Sequence, residues 1–187
     1  MTAPLTLLKT RKSPKVFDLA APGPTPEEIE EMLTIASRVP DHGKLTPWRF
    51  IIFAGEARER AGEAIAAVFA AENPDADAER LAIERARLTR APLVIAVVSK
   101  AGPHAKIPEW EQTLSGAAAA TLLVLSAHAH GYAATWLTEW YAYDAHARAA
   151  LGLAEDERFI GFIHIGTLAR PQEDRPRPPL SAIVTRY

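Results

Sequence analysis

The chain has no cysteine among its 187 residues, which excludes a disulfide frame, a thiolate nucleophile and any Cys-ligated zinc. Charge of one sign is also lacking. A net charge of −2 leaves no electrostatic footprint for nucleic acid or an anionic membrane surface. No two glycines stand in G-x-G spacing and no G-x-x-x-x-G-K occurs, so the dinucleotide fingerprint and the phosphate-binding loop are both absent. His128 and His130 are two residues apart, which on a helix points them to different faces and argues against a two-histidine metal site. These two, with His104, His146 and His164, read as structural or surface residues. No nucleophile elbow and no paired carboxylates stand out. An enzyme built this way would take its chemistry from a bound cofactor, with no metal and no catalytic side chain. The start, MTAPLTLLKTRKS, holds no long apolar stretch of the secretory kind, so the cytoplasm is the expected compartment.

Hydrophobic residues make up 48% of the chain and charged residues 24%, the balance of a globular protein rather than a disordered one. Neither a composition break nor an internal repeat divides it, and a single domain over 1–187 is expected. Thr25-Pro-Glu-Glu28 is a capping box with Pro26 at the first helical position, and Ile29, Met32, Leu33 and Ala36 follow at helical spacing until Pro40. Residues 48–54 read as a strand, and 56–72 and 78–90 as helices with charged outer faces. The apolar run Leu93–Val98 fits a strand buried on both faces. Leu114–Ala129 carries no Asp, Glu, Lys or Arg, yet falls short of the roughly 20 residues needed to cross a bilayer, so it reads as a buried helix ending before Gly131. Residues 132–137 and 159–165 are further strands, with a short helix near 144–151 between them. The Pro-rich stretch from Leu168 leads to strand-like Ala182–Tyr187. That pattern suggests an arm over 168–187 that crosses a surface and pairs with a sheet edge, of this chain or of a partner subunit it embraces, against the alternative of a simple surface tail.

Three clusters could build a cofactor site. Arg11, Lys12 and Ser13 offer forked, single and hydroxyl donors suited to a phosphate. Arg38 and His42 project from a loop restricted by Pro40 and Pro47. Trp136, Leu137 and Thr138 end a strand with an apolar and hydroxyl surface that could meet a planar ring. Arg175 and Arg177 are weaker candidates for the same phosphate.

Taken in order, Arg11-Lys-Ser13, Ala36-Ser-Arg-Val-Pro-Asp-His-Gly43, Thr46-Pro-Trp-Arg-Phe50, Ile107-Pro-Glu-Trp-Glu-Gln112, Gly131-Tyr-Ala-Ala-Thr-Trp136 and Gly161-Phe-Ile-His-Ile-Gly-Thr167 resemble the nitroreductase family. The likeness is to its short single-domain branch of FMN-dependent NAD(P)H oxidoreductases and covers nearly the whole chain. Two positions depart from that branch: Lys12, where a second arginine is frequent, and Leu137, where arginine is frequent. The resemblance implies an α+β sandwich around a mainly antiparallel sheet, flanked by helices and built as an intertwined homodimer. It implies FMN at the subunit interface, with Arg11, Lys12 and Ser13 on its phosphate and ribityl chain. Arg38 and His42 would reach that flavin from the other subunit, and Trp136, Leu137 and Thr138 would line the isoalloxazine. NAD(P)H would supply a hydride and an electron-poor acceptor, a nitroaromatic or a quinone, would receive it. The competing readings are a flavin-binding or flavin-sequestering protein without turnover, and an interaction domain whose basic loops are surface only.

Overall fold

The computed structural model of the protein describes residues 4–187. Five strands form one antiparallel sheet: β1 (Leu19–Ala20), β2 (Trp48–Ala54), β3 (Leu93–Ser99), β4 (Ala133–Leu137) and β5 (Arg158–Leu168). The 11-residue β5 is the hub. It pairs with β3 along its first part, with β4 on its other side, and with the two-residue β1 at its C-terminal end. β2 closes the far edge against β3.

Helices cover both faces, and strand alternation decides which side chains meet them. Leu93, Ile95, Val97, Ile163 and Ile165 face α2 (Pro26–Ala36) and α5 (Glu109–Ala129). Val94, Ala96, Val98 and Phe162 face the opposite core with Ile65 of α3 (Glu56–Glu72), Leu88, Tyr141 and Ala147 of α6 (Ala145–Ala150). Every residue of β3 is buried, as a strand covered on both faces requires. The register of β5 against β3 shifts between Val97 and Val98, leaving Ile160 as the extra residue of a bulge. Beside it, a Cβ on Gly161 would lie 2.0 Å from Nε1 of Trp136, and that indole donates to the Ile160 carbonyl at 3.2 Å. Gly161 is thus required by the approach of the tryptophan.

The capping box is present as read: Thr25 Oγ accepts from the Glu28 amide, and a Glu28 carboxylate oxygen accepts from the Thr25 amide. The buried helix begins earlier than the apolar run, so Glu109 and Glu111 lie in its first turn, where acidic side chains complement the helix dipole. Four other features differ from the sequence reading or lie outside it. A helix over Pro4–Thr10 (α1) had no signal in the sequence and exposes Leu5 and Leu8. The stretch 78–90 is α4 (Ala78–Arg85) followed by a 3-10 turn, because Arg87 and Arg90 turn inward to pair with carboxylates. β1 was not foreseen, being too short to show alternation. The strand-like C-terminus forms a 3-10 turn over Leu180–Ala182 and pairs with no strand of its own chain among the described residues.

Charge also orders the interior. Glu84, fully buried, accepts from Arg87 and from the Trp140 indole, and Arg80 pairs with it. Arg87 reaches on to Glu139, which also holds Arg90 and the Tyr141 hydroxyl. Burial opposes ionisation of both carboxyls, but these donors outweigh it and hold both below the usual carboxylate range. On the other flank, Arg49 of β2 grips Glu157 through two bonds of 2.6 Å, and the Ala154 amide donates to the same carboxylate. That fork lowers the Glu157 pKa from 4.5 to about 2. A depressed carboxyl stabilises the fold fully above its ordinary pKa and loses that contribution as pH falls through the folded value. Glu157→Gln should therefore lower stability at neutral pH and flatten the decline between about pH 4.5 and 2. Denaturant melts across that range check it, and parallel wild-type and variant slopes would exclude the linkage.

Candidate functional site

The chain leaves α5 through a left-handed turn. Gly131 has φ +90°, its amide donates to the His128 carbonyl at 3.1 Å, and the Tyr132 amide donates to Ala127 at 3.0 Å. This is a Schellman cap, for which glycine is the low-strain residue. The cap brings the end of α5 against the N-terminal segment. A cavity of about 500 Å³ opens there, lined by Leu7 and Thr10 of α1, Arg11, Lys12, His128, Tyr132, Ala133 and Gln172 among others. A smaller space of about 110 Å³ adjoins it, lined by Arg11, Lys12, Ser13, Gln172, Glu173, Asp174, Arg175 and Arg177.

The N-terminal cations and the C-terminal arm are stitched together. Lys12 Nζ donates to the Gln172 carbonyl at 2.5 Å, and the Gln172 side-chain amide donates to the Ser13 carbonyl at 3.0 Å. Arg11 donates to Ser13 Oγ at 3.1 Å, while Arg177 pairs with Asp174 at 2.7 Å. Five residues singled out from the sequence, Arg11, Lys12, Ser13, Arg175 and Arg177, therefore share one wall. Four of them are cationic, with Glu173 and Asp174 beside them. A wall of this kind suits an anion, the arginines through planar forks and Lys12 as a point charge.

Arg38 and His42 lie elsewhere. Their loop is held less by its prolines than by Asp41, whose carboxylate accepts from the Leu45 and Thr46 amides at 3.1 and 2.8 Å. Ser115 of α5 ties it down, donating to the Pro40 carbonyl at 2.8 Å and accepting from the Trp48 indole at 3.2 Å. Gly43, Lys44 and Thr46 all have positive φ, of 73°, 56° and 47°. For the last two that conformation costs about 1–3 kcal/mol each, which the Asp41 and Ser115 bonds offset. Arg38 is exposed, and His42 pairs with Glu111 at 2.6 Å. Ser115 and His128 are thirteen residues apart on α5, so about 20 Å of helix separates this loop from the Arg11 wall.

The third cluster is more firmly packed than its sequence suggests. The Trp136 indole is spent on the Ile160 carbonyl and lies over Gly161. Leu137 packs with Val16, Leu19 and Ala91, and Thr138 is exposed just before Glu139. None of the three lines the two cavities at Arg11.

Of the residues lining the larger cavity, sequence reasoning singled out Arg11 and Lys12 and missed the rest, His128, Tyr132, Ala133 and Gln172 among them. His128, expected to be structural or at the surface, lines the cavity instead. Burial first, and then the charge of Arg11, push its imidazole below the usual histidine range, so the ring is neutral at neutral pH. A histidine at the end of an apolar helix, three residues before a capping glycine, was the signal available. The other histidines fit the structural reading: His104 accepts from the Lys106 and Ile107 amides, His130 bonds Ser126 and Glu31, and His146 pairs with Glu72. His164 is fully buried within the sheet. Among the described residues no helix is long and apolar enough to cross a membrane.

Comparison with known proteins agrees with this architecture. The sequence profile of the nitroreductase family matches residues 8–167. A Haemophilus influenzae protein with the provisional name NAD(P)H nitroreductase is 40% identical over 164 residues, 87% of each chain. A crystal structure of a nitroreductase-like family protein from Bacillus cereus superposes with a TM-score of 0.87 at 23% identity, over 100% of this chain and 97% of that one. A mutant form of the FMN and NADPH-dependent nitroreductase NfnB from Sphigopyxis sp. strain HMH gives 0.75 at 20% identity over 99% of both chains. With a profile match over most of its length, a relative at this identity and the antiparallel sheet clad by helices on both faces, the chain belongs to the nitroreductase family.

Proposed function

We propose that the protein is an FMN-dependent oxidoreductase that passes reducing equivalents from NAD(P)H to an electron-poor acceptor such as a nitroaromatic or a quinone. The observation that carries the reading is the convergence of Arg11, Lys12, Ser13, Arg175 and Arg177 from the two ends of the chain on one small cavity. The donor set fits a phosphate monoester. The adjoining cavity adds Thr10, Tyr132 and Gln172 as polar lining beside that donor set. The relatives' names point the same way, to NAD(P)H as donor and FMN as cofactor.

FMN, when bound, supplies the electron exchange between donor and acceptor. The chain's own residues bind and orient it. Arg11, Lys12, Arg175 and Arg177 neutralise the phosphate, and Ser13 offers a hydroxyl donor. Trp136 is held by its bond to Ile160, and the strand end it stiffens, with Leu137 and Thr138, would meet the flavin ring only in the assembled dimer, since none of the three lines the cavities of one chain. No side chain of this set is placed as a general acid or base.

Arg38 and His42 complete the site from a second subunit. They stand too far along α5 to reach the Arg11 wall of their own chain, and a two-fold partner brings them to it. Apolar side chains left on the surface favour such a partner: Trp110 and Leu114 on α5, Ile52 on β2, and Leu180, Ile183 and Val184 in the arm over 168–187.

Three measurements test the reading. Protein loaded with FMN should lose its flavin absorbance when NADH or NADPH is added without oxygen, and regain it with a quinone. Stable yellow protein that neither donor bleaches would be the sequestering alternative. Arg11→Ala should raise the FMN dissociation constant by about 10- to 150-fold, the value of a hydrogen bond to a charged group, and the effect should shrink as salt rises. An unchanged constant in folded protein removes Arg11 from the phosphate. Finally, a mixed dimer of one Arg11→Ala and one His42→Ala subunit should bind half its flavin normally, since a shared site gathers both lesions in one place. Impairment of both sites would show that His42 serves its own chain's flavin.

A further inference from the structure

Two side chains on one face of α5 reach the loop that carries His42. Glu111 and Ser115 are four residues apart, so they stand one above the other along the helix. Ser115 donates to the Pro40 carbonyl and fixes the backbone where the loop begins. Glu111 meets Nδ1 of His42 at 2.6 Å and fixes the imidazole itself. The turn between these anchors is also set. A Cβ on Gly43 would lie 2.3 Å from Cδ1 of Ile107, so the residue after His42 rests directly on the segment leading into α5. Backbone and side chain of His42 are thus both referred to one helix.

Stability does not account for the Glu111 contact. The two side chains are 64% and 45% exposed, and an ion pair so open to water contributes little, since solvent screens it and both side chains lose rotamer freedom. The helix dipole does not require Glu111 either, because Glu109 shares the first turn. What the contact supplies is direction. An ionised carboxylate only accepts, so the imidazole keeps a proton on Nδ1 whether the ring is neutral or charged. Nε2 is left for a partner from outside, and among the described residues it has none. It accepts from that partner when the ring is neutral and donates when it is charged. A hydrogen bond at one ring nitrogen is the usual means of deciding what the other offers a ligand.

The geometry points to Glu111 as a positioning residue, which locks the rotamer and tautomer of His42 so that Nε2 is the atom presented to the flavin site of the partner subunit. This rests on the reading of His42 as a residue of the shared site. Glu111 touches neither flavin nor substrate in this arrangement and acts through His42 alone.

The test begins in flavin-free full-length protein, with the His42 ring signals assigned by their loss in His42→Ala. Long-range nitrogen–proton NMR correlation at alkaline pH, where a histidine is ordinarily neutral, should show His42 as the Nδ1–H tautomer. Glu111→Ala should shift it toward the Nε2–H form that free histidine prefers. Titration with FMN then separates the roles. His42→Ala should raise the FMN dissociation constant by about 2- to 12-fold, the value of one neutral hydrogen bond, and Glu111→Ala by no more than that. The double variant should match His42→Ala, because a residue acting only through His42 adds nothing once His42 is gone. Glu111→Gln, which keeps an acceptor oxygen at the same reach, should restore both tautomer and affinity. An unchanged tautomer in Glu111→Ala, or losses that add in the double variant, overturns the proposal and leaves Glu111 a merely structural residue. Normal FMN affinity in folded His42→Ala overturns the reading of His42 beneath it, while Arg11→Ala reports separately on the phosphate.

Discussion

Strand β5 is asked to pair with three partners at once, and the site depends on how it does so. Its hydrogen bonds to β3 fix the centre of the sheet, while those to β4 and β1 fix the two segments nearest the cavity. The ladder to β3 is interrupted at one place, the bulge at Ile160, where Gly161 lets the Trp136 indole sit against the backbone. A side chain at 161 would push β4 outward, and β4 begins at Ala133 in the cavity and ends at Leu137. The strand register and the cavity wall are in that sense one constraint.

Two regimes of polar burial occupy the same molecule. In the cluster of Glu84, Arg87, Glu139 and Arg90 each charge has an opposite partner, and the Trp140 and Tyr141 donors take further acceptor positions. Such a cluster adds little or no net stability relative to apolar packing, but losing one member strands a buried charge. Its effect is geometric: it holds Glu139, and with it the exit of β4 after Thr138. Elsewhere polar atoms are buried without partners, among them both ring nitrogens of His164 within the sheet and Nε2 of His128 at the end of α5.

The secondary structure was legible where local chemistry is decisive. The capping box at Thr25, the apolar period of α2, the buried run of β3 and the glycine after α5 each act within a few residues, and each appears where expected. The N-terminal helix and β1 were not legible, because seven and two residues are too few to display a period. The C-terminal segment looked like a strand because its β-branched residues favour extended backbone, but a strand needs a neighbour, and within this chain it has none. Among candidate site residues, Arg11, Lys12, Ser13, Arg175 and Arg177 carried their own signal in charge and hydroxyl content. His128 and Gln172 did not, since nothing in an isolated histidine or glutamine tells whether its polar atoms will find partners.

The sequence by itself determined the family, the covered central strand, the helix boundaries set by caps and prolines, and the cationic residues available for an anion. Side-chain identity and spacing along the chain are enough for these, because capping, periodicity and charge are local properties. Only the tertiary structure decided which cations stand together, that about 20 Å of α5 parts Arg38 and His42 from Arg11, and that Trp136 is committed to a bulge. Those facts depend on segments from opposite ends of the chain meeting at the Schellman turn of Gly131, and proximity between residues far apart in sequence is created only when the chain folds.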